Sequence, residues 1–320
     1  MELVDATSRG IAREFLVHGA PYLWPGLPEI AGMAPERIAA LPALPYGDPV
    51  FSARLLREQT DTTTTDSSRP PLVIERQLAW LKAALPDWRA GRVHHPLCGP
   101  GHYTAALRRH GMTSYVGVDM SPAVVAHARR SFAGQDDVDF LRGDASDTAL
   151  LPAGRTCDTL LLTYDAANFF PPRARQSLLG PLVRQLRPGG TAVLDLRLAE
   201  DGTAGFDEGR RVHHRPRGSV FRDGPHLLLS EAFAAGGGAL LGHRIIAVGD
   251  GPDPGPPEVF HSVLHVPTAE QLTAQLAAVG LDVCVRGRPF ADSADPNLAR
   301  HLVVARKRRT TPRSPERRQP

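Results

Sequence analysis

The strongest constraint on the fold is an alternation of predicted strands and helices between residues 92 and 198. Short apolar runs typical of buried strands lie at 92–97, 115–119, 138–144, 157–164 and 191–197. Helical patterns separate them near 102–110, 122–132 and 173–187, and the glycines of "LRPGG" (186–190) are expected to end the last helix. This alternation predicts a parallel sheet with helices on both faces. Ligands of such sheets bind beyond the carboxyl ends of the strands, where the winding reverses.

The sequence on either side of this block predicts further segments. A polar run, "TDTTTTDSSRPP", ends a proline-rich front region, and a helix is expected over 72–85. Glycine turns between apolar runs predict two or three antiparallel strands within 199–265, which would cover the strand ends. Thr268 is the expected N-cap of a helix over 268–280, followed by two strands paired at the sheet edge. The predicted boundaries are a lid at 1–70, a core at 71–198, a β insertion at 199–265, the rest of the core at 266–306 and a disordered basic tail at 307–320.

Charge and cysteine content narrow the classes of function. The net charge is +3, but seven Arg or Lys and one Glu lie in the last fifteen residues, so the rest of the chain is acidic. The basic balance therefore argues for a solvated tail, with a nucleic-acid arm as the lesser alternative. Three dispersed cysteines predict neither a disulfide framework nor a zinc site. With no long apolar run and no secretory start, we expect a cytoplasmic protein without a membrane span.

The segment "VHHPLCGPGHYTAALRRHG" (93–111) reads as a strand, a glycine turn and a helix. Gly99 and Gly101 allow a ligand to approach the backbone, and the following helix directs free N–H groups at it. Asp119 ends the second strand, where a carboxylate usually accepts both hydroxyls of a ribose. Asp144 ends the third strand and could bind an adenine edge, with Ala145 beneath the ring. The alternative is an ordinary strand–turn–helix connection with solvated aspartates.

These segments together resemble the class I S-adenosylmethionine (SAM)-dependent methyltransferases, over roughly residues 72–306. The resemblance rests on "CGPGHYTAALRRHG", "YVGVDMSPAVVAHARR", "FLRGDASD", "LLLTYDAANFF" and "LRPGGTAVLDL". It is strongest to a bacterial small-molecule branch that has a β-rich insertion before its last helix. The resemblance implies a Rossmann-like, doubly wound, seven-stranded α/β sheet whose last strand is antiparallel. It also implies a SAM site formed by Cys98, Gly99, Gly101, Tyr103, Asp119, Met120, Asp144, Ala145 and Thr163.

The glycine turn departs from that family at two positions. The family usually has an acid, then a glycine, where this chain has His95 and Leu97. Loss of a charged contact to the SAM ammonium would remove about 1.5–3 kcal/mol, which weakens binding without abolishing it. His95 is either a core histidine bonded to a carbonyl or a replacement polar contact. We therefore expect SAM binding to survive in a weakened or altered form.

Methyl transfer requires alignment and exclusion of water, and it requires a base only where the acceptor must lose a proton. We predict the catalytic residues to be Tyr164, Asp165, His214 and His261, and we expect no metal. Asp165 could replace a glutamate that branch members carry nearby, or it could be a loop carboxylate or helix cap. The other candidates for the base are His102, Tyr103, His213, His243 and His265. An apolar substrate wall, or alternatively core packing, is expected for Phe169, Phe170 and Phe221.

The leading hypothesis is therefore a SAM-dependent methyltransferase that acts on a small, natural-product-like acceptor and releases S-adenosylhomocysteine (SAH). The absence of a base-methylating motif after the fourth strand argues against nucleic-acid substrates. One alternative keeps the fold but performs cyclisation, including cyclopropane closure, or another rearrangement on a SAM-derived adduct. A second is a partner subunit without turnover. The sequence leaves a homodimer open.

Overall fold

The computed structural model describes residues 10–13, 15, 17, 30, 33–147, 150, 156–201, 206, 208–250, 255–293, 295, 297–298 and 300–309. Most of the predicted basic tail and much of the predicted lid lie outside these residues. Within them, no helix is long and apolar enough to cross a membrane.

Seven strands form one mixed sheet in the order β10-β11-β5-β4-β1-β2-β3. The strands are β1 (Gly91–Pro96), β2 (Met112–Asp119), β3 (Val138–Arg142), β4 (Cys157–Leu162), β5 (Leu186–Leu196), β10 (Leu281–Gly287) and β11 (His301–Lys307). Strands β1 to β5 pair in parallel, whereas β11 is antiparallel to both β5 and β10. The predicted doubly wound seven-stranded fold with an antiparallel last strand is confirmed. Strand order reverses between β1 and β4, which places a ligand crevice at their carboxyl ends.

The α-helices described are α1 (Pro35–Ala39), α2 (Pro49–Gln59), α3 (Pro71–Ala84), α4 (Tyr103–Arg109), α5 (Pro122–Ser131), α6 (Pro172–Gln185) and α7 (Ala269–Ala278). Five of these begin with proline, whose fixed φ and missing N–H suit the first helical position. Thr268 caps α7 as predicted, in a capping box with Gln271. Helix α6 ends at Gln185, before "LRPGG", and those residues instead begin β5. The predicted glycine stop was therefore misplaced.

Buried apolar residues form a core on each face of the seven-stranded sheet. On one face Leu179, Leu182 and Leu276 of α6 and α7 pack against the strands. On the other face, α3, α4 and α5 cover β1 and β2. Because both faces are covered, the second half of β4 and of β5 is almost entirely apolar, as expected for a parallel sheet, whereas β1 buries the two histidines His94 and His95.

A second sheet of four antiparallel strands has the order β6-β7-β8-β9. Its strands are β6 (Gly209–Arg215), β7 (His226–Ala235), β8 (Leu240–Gly249) and β9 (Glu258–His265). The glycine turns predict two or three strands within 199–265, whereas the structure has four. The Asn168 amide, in a short 3₁₀ helix after β4, donates to the His265 carbonyl at 3.1 Å. The second sheet is thus attached beside the carboxyl ends of the first.

Candidate functional site

Three residues of the turn after β1 adopt left-handed backbone conformations: Leu97 (φ 57°), Gly99 (φ 57°) and Gly101 (φ 85°). Leu97 keeps the geometry for which the family uses glycine, and its side chain packs against the apolar core under α6. A Cβ on Gly101 would lie 2.6 Å from the Phe140 ring, so glycine is required there for packing. A Cβ on Gly99 would meet nothing closer than 3.8 Å. Room for a ligand therefore remains beside Gly99.

The Asp119 carboxylate is fixed beside this turn. Its Oδ2 accepts from the Gly99 amide at 2.9 Å, and its Oδ1 accepts from the Ser121 amide at 3.0 Å. Burial raises the pKa of Asp119, although these backbone donors act in the opposite direction. A carboxylate has about four acceptor positions, so two remain for a diol. The structure thus brings the glycine turn and the strand-end acid into direct contact.

The residues predicted at the adenine end lie at the ends of β2 and β3, which pair side by side. Asp144 is exposed and accepts from the Ser146 amide and hydroxyl at 2.8 and 2.7 Å. Met120 is 41% exposed, an unusual position for a large apolar side chain. Ala145 is buried in the core cluster under α6. Met120 and Asp144 are therefore available to a flat ring, and Ala145 provides packing beneath that edge.

His95 is fully buried at the end of β1. Its Nδ1 lies 2.9 Å from the Tyr115 hydroxyl, and its Nε2 lies 3.1 Å from the Thr163 hydroxyl. Both partners are hydroxyl groups, so His95 is not bonded to a carbonyl as one of the two predicted alternatives required. Burial, reinforced by neighbouring His94, lowers the pKa of His95 to about 3. The residue at the family's acid position is thus neutral, and both its nitrogens are occupied.

The carboxyl ends of β4 and β5 carry a buried polar network. Asp195 Oδ2 accepts from Arg69 at 2.9 and 3.1 Å, from the Gln77 amide at 3.1 Å and from the Tyr164 backbone amide at 3.2 Å. The Tyr103 hydroxyl donates to Gln77 at 2.6 Å, which links the predicted cofactor residue Tyr103 to this network. Arg69, Gln77 and Asp195 were not among the site residues predicted from the sequence. The one available signal was a carboxylate within the apolar run "TAVLDLRLA".

Tyr164 and Asp165 follow β4 in consecutive left-handed conformations, with φ of 58° and 57°. The Tyr164 hydroxyl donates to the Thr65 carbonyl at 2.7 Å. Asp165 Oδ2 accepts from Arg300 at 2.5 Å and lies 3.8 Å from Arg197. Burial raises the pKa of Asp165 although both arginines oppose it. The carboxylate is therefore held in an ion pair, neither a free loop carboxylate nor a side-chain helix cap.

The strand register assigns the side chains of the second sheet to two faces. Phe260 lies opposite Ile245, and Ser262 lies opposite His243, so these four residues share one face. On that face Phe260 contacts Phe51 of α2, with ring centroids 5.8 Å apart. We call it the inner face, because it is turned toward the strand ends of the large sheet.

The two predicted insertion histidines lie on the opposite, outer face. His214, in β6, lies opposite Leu227 of β7, and its Nε2 is 2.8 Å from the Asp250 carboxylate. His261, in β9, lies opposite Arg244 of β8. Its pKa is lowered mainly by burial and further by the positive charge of that arginine. Because β6 and β9 are opposite edges of a four-stranded sheet, the two histidines are about 14 Å apart across it. The register places His261 in line with Arg210, so they are also offset by four residues, about 13 Å, along the strands. The structure does not bring His214 and His261 together with each other or with the glycine turn.

His243 is the histidine of β8 on the inner face. Its ring packs on Phe206, with centroids 4.9 Å apart, and it has no hydrogen-bond partner within the described part of the chain. Burial, together with the positive charges of Arg197 and Arg211, lowers the pKa of His243 to about 4. It is therefore a neutral, partly exposed imidazole at neutral pH. The pattern of one strand could not reveal this, because face assignment requires the register.

The predicted aromatic wall is divided among different surroundings. Phe169 is 37% exposed and meets Tyr46 edge to face, with centroids 6.3 Å apart. Phe221 packs on Phe260 at 5.2 Å, whereas Phe170 packs against the core under α6. Tyr46, Phe169 and Phe260 thus provide apolar surface near the strand ends, and Phe170 does not.

Comparisons with known proteins identify what the domain and the fold are similar to. Residues 97–190 match the family model described as a methyltransferase domain. The carboxy-S-adenosyl-L-methionine synthase of Escherichia coli is 30% identical over 115 residues, which cover 34% of this chain and 44% of that protein. The chain therefore spans less than half the length of these curated relatives.

Solved structures share the fold at low sequence identity. The CcbJ methyltransferase of Streptomyces caelestis superposes with a TM-score of 0.56 at 18% identity, covering 82% of this chain and 98% of that one. A SAM-dependent methyltransferase of Clostridium acetobutylicum gives 0.55 at 14% identity, with coverages of 80% and 95%. The sugar N-methyltransferase KedS8 of a Streptoalloteichus species gives 0.52 at 23% identity, with coverages of 74% and 87%.

Proposed function

We propose, from the premise that residues 97–190 are a class I methyltransferase domain, that this chain binds SAM and transfers its methyl group to a small-molecule acceptor. The observation that carries the proposal is the 2.9 Å hydrogen bond from the Gly99 amide to Asp119. It joins the glycine turn after β1 to the acid that ends β2, beside the point where strand order reverses between β1 and β4. That arrangement presents free carboxylate acceptors and an open glycine face to one ligand.

The residues present fit SAM. Asp119 has acceptor positions left for the two ribose hydroxyls, and Met120 and Asp144 flank the place of the adenine. The open space beside Gly99 suits the amino-acid end. Cys98, Tyr103 and Thr163 support the site from beneath, since all three are buried around the turn and His95. When bound, SAM supplies a methyl group already activated by its sulfonium.

The acceptor would lie between the inner face of the second sheet and the strand ends of the first. Tyr46, Phe169 and Phe260 would cover its apolar surface and exclude water. His243 is neutral and partly exposed, so its ring can accept a hydrogen bond from a hydroxyl or amine nucleophile and can take up its proton, although a pKa of about 4 makes it a weak base in the absence of an acceptor. Asp165, which is paired with Arg300, would shape the floor of the pocket. The similarity in fold to a sugar N-methyltransferase supports a small, sugar-containing acceptor.

The first experiment is calorimetric titration with SAM and SAH, using Asp119→Ala and the rim variant Asp144→Ala. Micromolar binding that Asp119→Ala abolishes and Asp144→Ala weakens would support the site. A panel of amino- and hydroxyl-bearing glycosides would then be assayed for SAH release. Equal affinities for the wild type and Asp119→Ala would contradict the proposal.

A second candidate keeps SAM but changes the chemistry, as the relative named carboxy-S-adenosyl-L-methionine synthase favours. The neutral His95 and the side chain at Leu97 alter the end of the turn where that chemistry would differ. Mass spectrometry of the products separates the two. An acceptor heavier by one methyl supports transfer, whereas a modified SAM or cyclised adduct supports the second candidate. The partner-subunit alternative predicts SAM binding without any product.

A further inference from the structure

Helix α2 contacts both loops of the proposed SAM site. Near its start, Ser52 Oγ accepts from the Ala123 amide at 2.8 Å and lies 2.6 Å from the Ser121 hydroxyl. At its end, the Gln59 carbonyl accepts a hydrogen bond from His102 Nε2 at 2.8 Å. One helix thus binds the loop after Asp119 and the helix start after the glycine turn. Its last side chain, Gln59, is held above that turn.

The Gln59 carboxamide lies against Gly99. Its terminal atoms are 3.8–4.0 Å from the place that a Cβ on Gly99 would occupy. Within the residues that the structure describes, Gln59 Oε1 is buried and has no hydrogen-bond partner. Buried amide oxygens are seldom left without a donor, because the lost hydration is not compensated. We therefore expect a ligand beside the glycine turn to donate a hydrogen bond to this oxygen.

The carboxylates at this edge of the sheet have other roles. Asp195 pairs with Arg69 and Asp165 pairs with Arg300, each through its Oδ2, and the acceptor positions that Asp119 keeps are the ones proposed for the ribose. His95, at the family's acid position, is neutral and uses both nitrogens. A cationic group arriving beside Gly99 would thus meet the Gln59 amide oxygen rather than the usual carboxylate.

We propose that Gln59 Oε1 accepts a hydrogen bond from the ammonium of SAM, in place of the strand-end acid that His95 replaces. This inference rests on the proposed function. An ammonium has three donors and no acceptor, which suits an unpaired amide oxygen. A hydrogen bond in which one partner is charged is stronger than one between two neutral groups, so its loss should be measurable as a weaker binding affinity.

The test compares SAH with 5′-methylthioadenosine, which has the same adenosine and thioether but no amino-acid end. Both are titrated calorimetrically into the full chain, into Gln59→Ala, Gln59→Glu and the control Gln135→Ala, which alters an exposed glutamine. Gln59→Ala is expected to raise the Kd for SAH about tenfold or more and to leave that for 5′-methylthioadenosine unchanged. Gln59→Glu restores an acid and is expected to bind SAH more tightly than Gln59→Ala. Gln135→Ala should match the wild type.

Parallel losses for both ligands in Gln59→Ala would overturn the inference, because they would indicate a general effect of α2 on the pocket. Weaker SAH binding by Gln59→Glu than by Gln59→Ala would also overturn it, because the contact would then be to the SAM carboxylate. If the wild type binds neither ligand, the proposed function itself fails. Thermal melting of each variant without ligand separates these results from loss of folding.

Discussion

Arg69 and Asp195 form a buried ion pair at the strand ends, with Arg69 Nη2 2.9 Å from Asp195 Oδ2. Both side chains are almost completely shielded from water. The pair joins the segment before α3 to the end of β5, and the Gln77 amide and the Tyr164 backbone amide donate to the same oxygen. It therefore fixes the loop after β4, in which the proposed acceptor floor lies.

Breaking this pair should be costly. Asp195→Asn and Arg69→Met are each expected to lower the free energy of unfolding by about 3–5 kcal/mol, because each leaves one buried charge without its oppositely charged partner. The double variant should lose much less than the two single losses combined. Urea denaturation followed by circular dichroism measures this coupling. Additive losses would contradict a direct interaction.

The two glycines of the turn should respond differently to alanine. Gly101→Ala is expected to destabilise the protein by about 3 kcal/mol or more, because the new Cβ would lie 2.6 Å from Phe140 and φ is 85°. Gly99→Ala meets no close atom and should cost about 1–2 kcal/mol from its left-handed backbone alone. Thermal melts give the comparison, and equal losses would contradict it. Of the two, we expect Gly99→Ala to weaken SAH binding in a protein that remains folded.

Asp165→Asn separates a structural carboxylate from a catalytic base. Asparagine tolerates the left-handed φ of 57°, so the variant removes charge without adding backbone strain. Because the buried ion pair between Asp165 and Arg300 is lost, the free energy of unfolding should fall by about 2–3 kcal/mol. SAH affinity and the shape of the pH–rate profile should stay as in the wild type. Loss of one limb of that profile would instead indicate that Asp165 is the base.

Stability should fall as the pH drops below about 6.5. His94 and His95 have pKa values lowered to about 4 and about 3 by burial, so the unfolded chain takes up their protons first. Above the unfolded pKa, neither histidine lowers the free energy of unfolding. Below it, and down to the folded pKa, each histidine lowers the free energy of unfolding by about 1.4 kcal/mol per pH unit. The raised pKa values of Asp119 and Asp165 act in the opposite direction. Urea midpoints between pH 7.5 and 5.5 measure the slope, and His95→Gln should reduce it.

His243 and His261 offer a matched test of the face assignment. His243→Asn is expected to slow methyl transfer about a hundredfold where the acceptor must lose a proton, with SAH affinity unchanged. His261→Asn, on the outer face of β9, should leave transfer unaffected. The rates are measured with the first glycoside on which the wild type releases SAH. A loss in His261→Asn alone would move the acceptor to the outer face.

Local sequence determined the large sheet and its turn. Apolar runs of strand length that alternate with helical segments are best buried as parallel strands between layers of helices. The strand positions therefore followed from the local order of these segments. Asp119 and the glycines followed for the same reason, because a strand end, a left-handed turn and a helix start are short-range features. The error at "LRPGG" arose because a glycine pair after a helix is also compatible with the start of a strand.

The polar interior of the site was decided only by the tertiary structure. Arg69 meets Asp195 across 126 residues, and Gln59 reaches Gly99 from a helix in the front segment, so no local pattern marks either contact. The choice between His243 and His261 depends on strand register, since a shift of one residue exchanges the two faces of a strand. Sequence determines which residues can carry charge or accept a proton. Long-range packing decides which of them face the same space, because pairing and burial join residues that are distant in the chain.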